Sequence, residues 1–121
     1  MTREDFTKVI ESEAAHCCNL LSAKGKEYDA DEKDRLNSFK RAGSLMNEDQ
    51  IKALAGMMAK HSVSVYDMCT RGKCTDYPIE KWEEKIDDSI NYLLILWAMV
   101  KEEQDDAKQA ECHDADARED R

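Results

Sequence analysis

An all-α bundle of about four helices is the fold this sequence predicts, and three observations predict it. Only one proline and four glycines interrupt the 121 residues, too few turn formers for a fold of many short strands. Apolar residues recur at three- and four-residue spacing, the period of one helix face. The length suits a single domain with one core.

The first helix is expected over about 5–23. Thr2 and Asp5 have the spacing of a capping box, Phe6, Val9, Ile10, Cys17, Leu20 and Leu21 make its stripe, and Gly25 is expected to stop it. The polar stretch KGKEYDAD reads as a loop ending in an N-cap candidate, Asp29 or Asp31. A second helix, about 32–46, sets Leu36, Phe39, Gly43 and Met46 on one side. Asn47 is expected to cap a third helix, about 48–69, with Gln50 at the capping-box position and Ile51, Leu54, Met58, Val65 and Met68 facing inward. TRGKCTDYP forms the next loop, and Pro78 suits the first turn of the longest helix, about 79–104. Residues 1–104 then make one helical domain. The acidic remainder, 105–121, has no apolar stripe and is expected to be a disordered tail.

Charge excludes some functions. The net charge of −9 opposes binding to a nucleic-acid backbone. Residues 101–121 hold nine acids against four bases, so the folded part is only mildly acidic and has room for a local cationic pocket. The five cysteines form no CxxC framework. With no signal peptide at the N-terminus, the thiols are expected to be reduced in a bacterial or phage-infected cytosol. A zinc set from Cys69, Cys74 and a histidine is conceivable, but buried or idle thiols are the simpler reading. Tyr92–Val100 is apolar for only nine residues, against the ~20 that a membrane helix needs, so a soluble protein without membrane contact is expected.

The last helix carries the chemistry. At about 100° per residue, Glu84, Asp87, Asp88 and Asn91 share one face about 100° wide. Trp82, Ile86, Ile90, Leu93, Trp97 and Val100 occupy the opposite side. Ile95 carries the acidic face on into apolar sequence, so the second half should be buried all round and the acids should meet a cleft or subunit interface. Desolvated carboxylates one turn apart repel unless a cation neutralises them. Mg²⁺ takes oxygen ligands, a few carboxylates plus substrate phosphates, and Glu84, Asp87 and Asp88 are the candidate ligands. Salt bridges to the second helix are the structural alternative.

Three segments in order, KGKEYDADEKDRLNSFKRA (24–42), AKHSVSVYDM (59–68) and WEEKIDDSINYLLIL (82–96), resemble the nucleotide-modification-associated family of small helical phage proteins. The last helix is more distantly similar to that of the all-α nucleoside triphosphate pyrophosphohydrolases, the MazG-like and dimeric dUTPase proteins. The resemblance covers about residues 15–103. It implies a Mg²⁺-dependent nucleotide-processing protein, a hydrolase releasing pyrophosphate from a (deoxy)nucleoside triphosphate, built as a homodimer or homotetramer. Within it, Arg35, Lys60, His61 and Lys24 are candidates to hold phosphate, Asn91 to orient ligand or sugar, and Tyr28 to stack on a base. One departure is plain. The MazG-like proteins add an ExxE pair on an earlier helix, whereas Glu11 and Glu13 stand two apart. Glu13 alone lies on the inward stripe, near His16 and Cys17, where it could supply one ligand. That gap keeps two alternatives open: a protein that sequesters a nucleotide without cleaving it, and a structural or regulatory helical partner.

Overall fold

The computed structural model describes residues 1–28 and 33–120. Among them are four α-helices and no strand: α1 (Arg3–Tyr28), α2 (Asn37–Met46), α3 (Gln50–Thr70) and α4 (Ile79–Glu119), with a single 3₁₀ turn at Cys74–Asp76. The chain is all-α, as its sequence predicts. No described helix is long and apolar enough to cross a membrane.

The capping box at the start of α1 forms as expected. Thr2 Oγ1 accepts from the Asp5 amide at 3.1 Å, and Asp5 Oδ2 accepts from the Thr2 amide at 3.4 Å. Gly25 does not stop the helix, which continues to Tyr28. The glycine is buried, and a Cβ there would lie 2.5 Å from Arg35 Nε. Its missing side chain serves close approach rather than termination. The N-cap candidates Asp29 and Asp31 lie outside the described residues. The second helix begins at Asn37, later than expected, behind a turn in which Asp34 Oδ1 accepts from the Leu36 amide at 3.0 Å.

Asn47 has the reverse of its expected role. At φ 54° it is the left-handed residue that ends α2, and its amide reaches the carbonyls of Gly43 and Ser44, a conformation asparagine tolerates better than most. The α3 cap is Asp49, whose carboxylate accepts from the Ile51 and Lys52 amides. Gln50 instead donates to Glu103 at 3.0 Å, tying the start of α3 to α4.

Contacts fix the helix directions. Gln50 meets Glu103 while His61 meets Asp88, so α3 and α4 are antiparallel. Cys17 meets Asp87, while Leu21 and Gly25 share a groove with Leu94 and Ala98, so α1 and α4 run the same way. The core lies between α2, α3 and α4. Leu36, Leu54 and Met99 are buried there, with Phe39, Ile51, Met58, Tyr92, Ile95 and Leu96 packed around them. Lys40 bridges Asp34 and Glu102 at 2.8 and 2.7 Å. This bridge holds the Asp34 carboxyl below the usual carboxylate range, its bond to Lys40 outweighing the Leu36 amide.

Two expectations about α4 change. Its apolar half is not buried all round, because Leu93, Leu94 and Trp97 are 56%, 40% and 66% exposed. The helix also runs through the stretch expected to be a disordered tail. That stretch is rich in alanine and charged helix formers, and a Lys101–Asp105 pair at i, i+4 spans its start. From Asp106 to Asp120 every residue is exposed.

Candidate functional site

Lys24 and Tyr28 on the last turns of α1, Arg35 in the turn before α2, and Asp88 and Asn91 on α4 meet around one cavity of about 330 Å³. Small-molecule sites occupy roughly 300–1,000 Å³. Phe39, Met57 and Ile95 supply apolar walls. Sequence spacing alone could not bring Lys24 and Asn91 together; the parallel packing of α1 on α4 does.

Arg35 is the most constrained cation of the group. Its Nη2 donates to the Leu21 carbonyl at 3.2 Å, and its side chain lies across α1 where Gly25 leaves space. The fork of a guanidinium suits phosphate or carboxylate oxygens. On the facing wall, Asp88 Oδ2 lies 3.4 Å from His61 Nδ1. The His61 ring sits 5.0 Å from the Tyr92 ring at a 44° tilt, so a half-buried ring pair backs the carboxylate. Burial, then the Asp88 charge, pushes the Tyr92 phenol above its ordinary value. Asn91 is the unsatisfied member: its side-chain oxygen is buried and has no partner among the described residues. Such atoms are few in folded proteins; Gln50 Oε1, away from the cavity, is the other among the described residues.

The remaining sequence candidates lie elsewhere. His61 stands behind the cavity wall, against Asp88 and Tyr92, and Lys60 is exposed on α3. The proposed carboxylate trio does not converge. Glu84 is exposed, with Lys85 beside it at 3.3 Å. Asp87 is buried and turned toward α1, where His16 Nε2 lies 3.0 Å away. Only Asp88 faces the cavity. A three-carboxylate magnesium cage therefore does not fit these residues, whereas one carboxylate supplementing substrate phosphates does.

A second group surrounds Asp87: Glu13, His16, Cys17 and Glu83. The Cys17 thiol is fully buried and 3.7 Å from Asp87 Oδ1, and burial pushes it up to about 11. The neighbouring Asp87 carboxyl, then burial, holds Glu13 above the ordinary carboxylate range. Sequence reasoning placed Glu13 near His16 and Cys17 but missed Glu83. Its one-turn spacing from Asp87 was a usable signal, but the rotation of α1 about α4 decides which acid faces inward. Cys69 and Cys74 are free and exposed.

Compared with protein-family models, with curated proteins and with solved structures, the chain matches none.

Proposed function

We propose that this protein binds a nucleotide in the four-helix cavity, as the resemblance to nucleotide-modification-associated proteins suggests. The observation that carries the reading is the meeting of Arg35 and Lys24 with Asn91, whose side-chain oxygen is unsatisfied, around one apolar-walled cavity. Arg35 and Lys24 take the phosphates, Tyr28 stacks on the exposed side of the base, and Asn91 fixes base or sugar through its free oxygen. Processing of a triphosphate to monophosphate and pyrophosphate is the second reading, favoured by the Asp88 carboxylate facing the same cavity as Arg35. Asp88, held by His61, is the residue that would hold Mg²⁺. When bound, the ion would offset phosphate charge and polarise a phosphoryl oxygen.

The same proposal includes a homodimer or homotetramer. A compact monomer of 13.9 kDa exposes roughly 6,700 Å², whereas this chain exposes 9483 Å². Part of the excess belongs to the projecting end of α4. Large apolar side chains also stand exposed, among them Leu93, Leu94 and Trp97 on α4 and Phe6, Val9 and Ile10 on α1. Sedimentation at micromolar concentration should give a dimer or tetramer that Trp97→Glu dissociates; a wild-type monomer would remove this part.

For the cavity, the purified protein is incubated with mixed deoxynucleoside triphosphates and Mg²⁺, then assayed for retained nucleotide and released pyrophosphate. Retention with pyrophosphate supports processing, and retention without it supports sequestration. No retained nucleotide and no released pyrophosphate would sink the nucleotide reading in favour of a structural helical partner.

A further inference from the structure

Where α1 leans on α4, a buried carboxylate is ringed by metal-ligating groups, with the half-exposed His16 as its basic partner among the described residues. Asp87 is 4% exposed. Its Oδ2 lies 3.0 Å from His16 Nε2, which is 3.7 Å from Glu83 Oε1. Behind Asp87 stand Glu13 and the Cys17 thiol. Among the described residues no lysine or arginine pairs with Glu13, Glu83 or Asp87. Elsewhere in this molecule a lysine serves that purpose, as Lys40 does for Asp34 and Glu102. Three carboxylates gathered around a single imidazole leave a deficit of positive charge that a divalent ion would fill.

We infer that His16, Glu83 and Asp87 are the protein ligands of a zinc-class divalent ion bound at the seam of α1 and α4. Three features carry the assignment. The donor atoms of the trio lie within 4.8 Å of one another, and the two His16 separations bracket the edge of about 3.4 Å expected for a tetrahedron with bonds of about 2.1 Å. The imidazole nitrogen selects zinc-like ions over Mg²⁺, which prefers an all-oxygen shell. His16 and Glu83 side chains are 44% and 49% exposed, so the ion enters from solvent and a fourth position stays open to water. Cys17 acts from behind as a thiol donor to Asp87 Oδ1, orienting that carboxylate. This site is distinct from the nucleotide cavity, which Asp88 faces and Asp87 does not.

Chelator-treated protein is titrated with Co²⁺, whose visible absorption reports tetrahedral coordination, and then with Zn²⁺ or excess Mg²⁺. The expected result is one Co²⁺ per chain with an intense visible band, removed by Zn²⁺ and untouched by Mg²⁺. His16→Gln and Glu83→Gln, both at partly exposed positions, should each weaken binding at least about tenfold while circular dichroism stays as in the wild type. The tail also holds adjacent possible ligands, Cys112, His113 and Asp114, so Cys112→Ser with His113→Gln is the control and should leave the band intact. Displacement by Mg²⁺, unchanged binding in His16→Gln, or loss of the band in the tail variant would each overturn the assignment.

Discussion

Replacing Leu54 by alanine should cost about 2–5 kcal/mol, the range for emptying a fully buried leucine site. Leu54 is 0% exposed and sits with Leu36 and Met99 where α2, α3 and α4 meet. Few other side chains are fully buried among the described residues, Met99 and Cys17 being the other large ones. The loss therefore falls on a large share of the core, set against a total stability of roughly 5–15 kcal/mol for ordinary domains. Leu45→Ala is the companion, since Leu45 is 89% exposed and its loss should stay within about 0.5 kcal/mol. Urea unfolding of both variants, at one protein concentration because assembly would add to stability, checks the contrast. Equal midpoints for the two variants would mean that the core lies elsewhere.

The second large effect belongs to Arg35. Arg35→Ala should weaken nucleotide binding by roughly 1.5–3 kcal/mol, the scale of a hydrogen bond to a charged group. Gly25→Ala should reproduce much of that loss without touching the cavity wall directly. A methyl at residue 25 collides with the Arg35 guanidinium, at 2.5 Å from Nε, and forces it off its path across α1. The same change favours the α1 helix by up to about 1 kcal/mol in propensity, so thermal stability should hold while affinity falls. Binding by Gly25→Ala equal to the wild type would show that the position of Arg35 is not what holds the ligand.

This glycine also shows what was legible in the sequence. The stripes of the four helices, and hence the fold class, follow from apolar spacing, which depends only on local geometry. Gly25 reads locally as a stop, yet its role is set by an arginine ten residues on, which no periodicity reports. Asn47 and Asp49 are both good caps in isolation. The left-handed turn ending α2 takes the asparagine, and the aspartate then caps α3. In the site, Asp88 and Asn91 were readable because both lie on the acidic face of α4. Glu84 and Glu83 differ by one position, and only the packing of α1 turns Glu83 toward His16. Lys60 and His61 were indistinguishable as cations; the antiparallel register of α3 on α4 brings His61 to Asp88 and leaves Lys60 outside.

Calorimetric titration of the wild type and Arg35→Ala with individual deoxynucleoside triphosphates, in Mg²⁺, tests the central claim most directly. The account predicts at least one triphosphate bound by the wild type well below millimolar, with affinity falling roughly tenfold to a hundredfold in the variant. No binding below millimolar for any nucleotide, or equal binding by the two proteins, would contradict it.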